Sequence, residues 1–138
     1  MFIDASVIVA ILAGEPGCDE LEKRLGDIGS PFFVSPLVKF EASAALARQK
    51  GANRKPSPEI LRQAQKAVDA FVEDIGAEEV PISPEVGRIA LDASAAYGKA
   101  VGHAADLNFG DCFAYACAKV LGVPLLYKGN DFAHTDLA

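Results

Sequence analysis

The sequence predicts an α/β domain, because short apolar runs alternate along the chain with longer amphipathic segments. The runs at residues 1–3, 32–34 and 125–127 have the length and composition of buried strands. Several segments between them begin at a Ser–Pro pair, in which serine caps a helix and proline occupies its first turn. With 138 residues, the chain is expected to form one domain over residues 1–138.

Taken in order, the remaining elements follow from helical spacing of apolar residues and from turn residues. A short helix after residue 6 is followed by helices at residues 20–28, 37–50, 59–75, 85–97 and 111–121. A third strand is expected at residues 79–82, near a sheet edge because Pro81 lacks an N–H group. Residues 133–137 are a candidate for a last edge strand.

Net charge, cysteine count and hydropathy limit the classes of protein to which this chain can belong. The net charge of −6 argues against passive, charge-driven binding to nucleic acid or to an anionic membrane. An odd count of cysteines (Cys18, Cys112 and Cys117) fits a reducing cytoplasm, and the two on the last helix are expected to be core residues. The apolar run at residues 7–13 is too short to span a bilayer, and Asp4 stands where a signal peptide carries Lys or Arg.

Two aspartates lie just beyond the carboxyl ends of predicted strands. Asp4 ends the first strand, and Asp131 lies in the turn after the strand at residues 125–127. Ligands of open α/β sheets bind at the carboxyl ends of the strands, so both residues are candidates for a site. Each also has an ordinary structural interpretation, since Asp4 or Ser6 can cap a helix and an aspartate after Asn130 is common in turns.

Two further acids lie at or in apolar helices. Asp111 is at the first turn of a helix rich in Ala, Cys, Phe and Tyr, where a helix cap is the simplest interpretation. Glu41 has apolar neighbours three and four residues away on its helix, so its carboxylate is costly to bury unless it is paired or bound to a metal. Alternatively, Glu41 is solvated at the border of that stripe.

Binding of one divalent cation would account for the positions of all four acids. Carboxylates that share a cleft repel one another, and a counter-charge is needed to keep all of them ionised. An all-oxygen donor set suits Mg²⁺ or Mn²⁺ better than zinc, and no His or Cys residue is spaced for zinc. Such a site can hold a nucleophilic water and neutralise a phosphodiester, which removes the obstacle that the negative net charge presents.

Four segments resemble the PIN-domain ribonucleases, and most closely the VapC toxins of bacterial toxin–antitoxin pairs. These segments are MFIDAS at residues 1–6, KFEA at 39–42, LNFGDCFAYA at 107–116 and KGNDF at 128–132. The third segment is the most specific of the four. The resemblance extends over nearly the whole chain and carries one acid in each segment: Asp4, Glu41, Asp111 and Asp131.

The resemblance implies a three-layer α/β/α domain with a parallel sheet of four or five strands. It also implies Mg²⁺- or Mn²⁺-dependent endonucleolytic cleavage of RNA such as transfer or ribosomal RNA. Asp4, Asp111 and Asp131 would hold the metal, Glu41 would complete the shell or help to activate water, and Ser6 and Asn130 are candidate supports for the substrate. A homodimer and an inhibitory VapB-type antitoxin are the implied partners.

Other interpretations stay open at this stage. The same acids could serve a DNase or a phosphatase, or the chain could be a PIN-like scaffold that binds RNA or a partner without cutting. The sequence assigns no role to His103 or Asp106. Residues 48–66 are rich in Lys and Arg and could meet a phosphate backbone or an acidic partner, although a solvated hairpin end is the simpler interpretation.

Overall fold

A computed structural model describes residues 1–29, 31–52 and 54–137. Within these ranges, four short strands form one sheet: β1 (Phe2–Ile3), β2 (Phe33–Val34), β3 (Glu78–Glu79) and β4 (Leu125–Leu126). The helices are α1 (Ala5–Leu12), α2 (Cys18–Ile28), α3 (Pro36–Lys50), α4 (Pro58–Asp74), α5 (Pro84–Tyr97) and α6 (Phe109–Leu121), with a 3₁₀ turn at Lys99–Val101. The predicted α/β class is confirmed.

The sheet is parallel throughout and has the order β3-β2-β1-β4. The chain therefore moves outward from β1 through β2 to β3 and then returns to the other side of β1. Crossovers between parallel strands are right-handed as a rule, so helices formed before and after this reversal are expected on opposite faces of the sheet. The reversal leaves a crevice between the carboxyl ends of β1 and β4, the position where open α/β sheets bind their ligands.

Serine caps fix the starts of three helices. Ser35, Ser57 and Ser83 each accept an N–H bond of 3.2 Å from the residue three positions along, and each is followed by proline. Each cap satisfies one of the four N–H groups that a helix start leaves without a partner. These three starts agree with the Ser–Pro prediction.

The core lies between the sheet and its helices. The side chains of Phe2, Ile3 and Val34 are fully enclosed, and α6 is buried along most of its length. Helices α1 to α4 pack mainly on one another, while α5 packs on α6. Cys112 and Cys117 are buried in this core, as predicted.

Two predictions about strands are wrong. The third strand covers only Glu78–Glu79, because its ladder ends with the bond from the Val80 N–H to the Val34 carbonyl and Pro81 has no N–H to continue it. Its edge position is confirmed. Residues 133–137 form turns instead of a strand, since the Ala133 and Thr135 N–H groups bond to nearby carbonyls. No helix in the described ranges is long and apolar enough to cross a membrane.

Candidate functional site

Asp4 lies at the carboxyl end of β1 and begins α1. Its Oδ2 accepts a 3.0 Å bond from the Ser6 N–H, and its own N–H donates to the Leu126 carbonyl of β4. Only 6% of the residue is exposed. Burial raises the pKa of Asp4, against the hydrogen bonds to Ser6, and the charge of Asp131 adds to the rise. The predicted cap and the predicted site residue are thus the same carboxylate.

Asp111 is held by a reciprocal pair of hydrogen bonds at the start of α6. The Asn108 side chain accepts from the Asp111 N–H, and the Asp111 carboxylate accepts from the Asn108 N–H, both at 3.0 Å. This capping box fixes the carboxylate at the first turn of the helix. Burial raises the pKa of Asp111 to about 6, against the Asn108 bond, with further contributions from the charges of Asp4 and Asp131.

Glu41 reaches the start of α6 from the middle of α3. A Cβ atom added to Gly110 would come within 1.9 Å of Glu41 Oε2, so the carboxylate occupies the space that the missing side chain leaves. Burial, with smaller contributions from the charges of Asp4 and Asp111, raises the pKa of Glu41 to about 7. Glu41 is half-buried, which agrees with the interpretation of a carboxylate in an apolar stripe.

Asp131 is exposed in the turn after β4. Its charge raises the pKa of both Asp4 and Asp111, so its carboxylate lies within electrostatic range of theirs. Ser6 connects the two sides of this crevice, because its Oγ accepts a 3.0 Å bond from the Lys128 N–H. Asn130 is exposed beside Asp131, and its carbonyl accepts the Ala133 N–H.

The charges of Asp4, Asp111 and Asp131 thus raise the pKa values of predicted site acids at the switch point of the sheet. Lys128, the cation of the same turn, binds Glu15 and is thus directed to another carboxylate. An all-carboxylate donor set without a cation suits a hard divalent ion such as Mg²⁺ or Mn²⁺. Among the described residues, no three Asp, Glu, His or Cys side chains already have the arrangement of an ion site. The case for a metal at this site accordingly depends on the carboxylate oxygens as donors and on their uncompensated negative charge.

Two supporting residues were missed in the sequence. Gly110 makes room for Glu41, and Asn108 orients Asp111. Asn108 and Asp111 have the spacing of a capping box, a signal that is readable in the sequence. His103 and Asp106 belong to the preceding loop: the His103 Nδ1 accepts from the Ala105 N–H, and Asp106 has a positive φ of 52°.

Comparison with known proteins identifies the family. The PIN domain model matches residues 1–137. A VapC ribonuclease of Rhizobium meliloti is 52% identical over 139 residues, covering 99% of this chain and 98% of that protein. Ribonuclease VapC42 of Mycobacterium tuberculosis is 36% identical over 137 residues, covering 99% of this chain and 96% of that protein.

Solved structures share the fold. The crystal structure of Mycobacterium tuberculosis VapC20, described as a sarcin–ricin loop cleaving toxin, has a TM-score of 0.71 at 20% identity and covers 99% of this chain and 97% of its own. A toxin–antitoxin complex from Klebsiella pneumoniae has a TM-score of 0.63 at 15% identity, covering 98% and 92%. With its strand order, its acids at the switch point and these full-length relatives, the chain belongs to the PIN-domain family and, within it, to the VapC ribonucleases.

Proposed function

We propose that this chain is the toxin of a toxin–antitoxin module and hydrolyses RNA phosphodiester bonds with Mg²⁺ or Mn²⁺ held by Asp4, Glu41, Asp111 and Asp131. One observation carries the proposal. Asp4, Glu41 and Asp111 all have raised pKa values at one edge of the sheet, where each is penalised by burial and by its neighbours. A bound divalent ion would relieve both penalties.

In this proposal the residues of the site have different roles. Asp4, Asp111 and Asp131 hold the ion, with Ser6 and Asn108 fixing the first two carboxylates. When bound, the ion supplies charge neutralisation for the phosphodiester and lowers the pKa of water. Glu41 completes the shell of the ion or accepts a proton from the attacking water, because it approaches the start of α6 beside Asp111.

Cleavage of total cellular RNA tests the reaction. Discrete fragments are expected with Mn²⁺, and none with EDTA or with the Asp111→Asn variant. A panel of RNA, DNA and a small phosphoester separates a ribonuclease from a DNase or a phosphatase that uses the same acids. RNA left intact by the antitoxin-free protein with Mn²⁺ would contradict the proposal.

The proposed RNA is a structured molecule such as transfer or ribosomal RNA, and the proposed protein partner is a VapB-type antitoxin in the cytoplasm. Two similarities support these assignments: the VapC20 structure is described as a toxin that cleaves the sarcin–ricin loop, and another related structure is a toxin–antitoxin complex. Co-purification of the product of an adjacent gene that suppresses cleavage is the expected result. The single domain over residues 1–138 is part of the same proposal.

A homodimer is also proposed. Exposed apolar residues support it: 74% of Leu91 and 70% of Phe109 are accessible, and both line an apolar groove of about 740 Å³ between α5 and α6. Monomeric soluble proteins rarely leave large contiguous apolar patches uncovered. Light scattering should give twice the chain mass for the wild type and the chain mass for Leu91→Glu. A monomeric wild type would contradict the dimer.

A further inference from the structure

Basic residues are concentrated in one part of this acidic chain. Residues 48–66 contain six Lys or Arg side chains and one acid, Glu59, which gives a local charge of +5 in a chain of net charge −6. Four cations elsewhere, Lys39, Arg88, Lys119 and Lys128, are within ion-pair distance of a carboxylate. Among the described residues, no carboxylate lies at that distance from any cation of residues 48–66. Their charge is therefore available to an external anion.

Arg48 connects these cations to the acid crevice. It lies seven residues after Glu41 on α3, about 10 Å farther along the helix axis. Both residues line one cavity of about 420 Å³, together with Ser6 and Lys128. Arg48 also lines a second cavity of about 540 Å³ with Arg54 and Lys55. Arg48 and Ala45 line both cavities, so the two cavities are neighbours along α3, and Glu41 and Ser6 link the first of them to the acid crevice.

An exposed aromatic ring stands at the other end of the same path. Phe40 precedes Glu41, lines the first cavity and is 73% exposed. Glu15 is the other acid of this cavity, and its charge is compensated because it accepts hydrogen bonds from Lys128 and Gln49. An aromatic platform followed by unpaired cations is the combination by which proteins bind single-stranded nucleic acid: bases stack on the ring and phosphates meet the cations.

We propose that an RNA strand leaves the acid crevice along α3, stacking a base on Phe40 and placing successive phosphates on Arg48, Arg54 and Lys55. The inference rests on the proposed function for its ligand, since the crevice would hold the bond to be cleaved. It also explains how a chain of net charge −6 can retain RNA, because residues 48–66 beside the crevice have a local charge of +5.

Binding of a short fluorescein-labelled oligouridine to the full-length Asp111→Asn protein tests this path without cleavage. The salt dependence of the dissociation constant is measured between about 50 and 200 mM, because each phosphate contact on a single strand contributes about 0.7 to the slope. Arg48→Ala/Lys55→Ala should weaken binding by about tenfold at the low salt concentration and reduce the slope by about 1.4.

A matched control removes one Arg and one Lys elsewhere. Lys23→Ala/Arg24→Ala changes the net charge equally on α2, and neither residue lines the two cavities along α3. This control should retain the wild-type affinity and slope. Phe40→Ala should weaken binding by roughly tenfold and leave the slope unchanged, because stacking releases no counterions. Melting temperatures verify that each variant is folded.

Three results would overturn the inference. The first is an equal loss of RNA affinity in Arg48→Ala/Lys55→Ala and in the control. The second is an unchanged salt slope in Arg48→Ala/Lys55→Ala. The third is polyglutamate binding as tight as RNA binding with the same loss in the variant, since that would identify an acidic protein as the ligand.

Failure of this inference is distinguishable from failure of the proposed function. If the wild type cleaves RNA with Mn²⁺ while the slope difference is missing, the reaction stands and the path along α3 is wrong. If the slope difference is found in a protein that cleaves no RNA, the path stands and the nuclease proposal is wrong. In a cleaving enzyme, the basic variant should raise KM with little change in kcat, because it removes binding that the ground state and the transition state share.

Discussion

Two carboxyl groups at the carboxyl edge of the sheet, Glu41 and Asp111, have raised pKa values, whereas Glu15 and Asp136, each beside a lysine, have lowered ones. Lys128 lowers the pKa of Glu15 through a hydrogen bond, and Lys119 does the same for Asp136. At the sheet edge, burial raises the pKa of Glu41 and of Asp111. Glu15 and Asp136 are each paired with a lysine of this chain. Among the described residues, no lysine or arginine forms an ion pair with Asp4, Glu41 or Asp111.

Helix capping alone does not account for this difference. The neutral hydroxyls of Ser35, Ser57 and Ser83 cap three helices of the same domain, and they do so without bringing charge into the core. Asp4 and the Asn108–Asp111 box perform the same structural task with carboxylates that are almost fully enclosed. The acids at the edge therefore cost stability that a neutral cap would keep, which is the expected arrangement at a site that binds a cation.

The largest effect is expected from neutralising one carboxylate at the sheet edge. Asp111→Asn should lower Mn²⁺-dependent RNA cleavage by at least about a hundredfold, because a carboxamide is a much weaker ligand than a carboxylate. The matched change Asp136→Asn removes an acid that is already paired with Lys119. It should leave cleavage within about twofold and cost no more than about 1 kcal/mol, as exposed ion pairs do. Rates of fragment formation and denaturant midpoints measure both effects, and equal activity in the two variants would contradict the distinction.

A smaller effect is expected when a methyl group is added at Gly110, beside the acids of the sheet edge. The added Cβ of Gly110→Ala would occupy the position of the Glu41 carboxylate, which can rotate away because it is the end of a flexible side chain. The variant should fold and lose about tenfold or more in cleavage.

The control is Gly87→Ala in α5, where an added Cβ meets no atom within 4 Å. It should keep full activity and raise stability by about 0.5–1 kcal/mol, since Gly is unfavourable inside a helix. Melting curves and cleavage rates measure both variants. A fully active Gly110→Ala protein would show that the position of Glu41 is unimportant.

The smallest effect is a pH dependence of stability without metal. Glu41 and Asp111 have folded-state pKa values of about 7 and about 6, above their ordinary values of 4.5 and 3.8. Between pH 5 and 7 the folded state therefore binds more protons than the unfolded state, and the free energy of unfolding should fall as the pH rises. Glu15 and Asp136 add nothing in this window, because their lowered pKa values act below the ordinary carboxyl range.

Urea unfolding in EDTA at several pH values measures this slope. Glu41→Gln should flatten it, since the amide does not titrate. A stability that is constant or that increases from pH 5 to 7 would contradict the picture of uncompensated carboxylates at the sheet edge.

Much of the site was predictable because its residues follow local rules. Asp4 directly follows an apolar strand, Asp131 lies in the turn after another, and Glu41 interrupts an apolar helical stripe, so each stands out against its neighbours. The Ser–Pro pairs located the helix starts for the same reason. The family resemblance then joined the four acids before any distance was known.

The remaining features depend on contacts between distant segments. The order β3-β2-β1-β4 places the ends of β1 and β4 side by side, and strand spacing along the chain carries no such information. The role of Gly110 depends on the approach of α3 to α6, and Arg48 joins two cavities only once α3 and the following loop are folded. The short β3 likewise reflects the two N–H bonds, from Glu78 and Val80, that this segment donates to β2 before Pro81.

Binding of Mn²⁺ in the absence of RNA tests the central claim most directly. Free Mn²⁺ gives a sharp electron paramagnetic resonance signal that is lost on binding, so titration of the full-length protein counts bound ions without using activity or stability. The wild type and Asp136→Asn should remove the signal in proportion to protein, whereas Asp4→Asn and Asp111→Asn should remove little of it. A signal unaffected by the wild type, or reduced equally by all four proteins, would contradict a metal site made by the edge carboxylates.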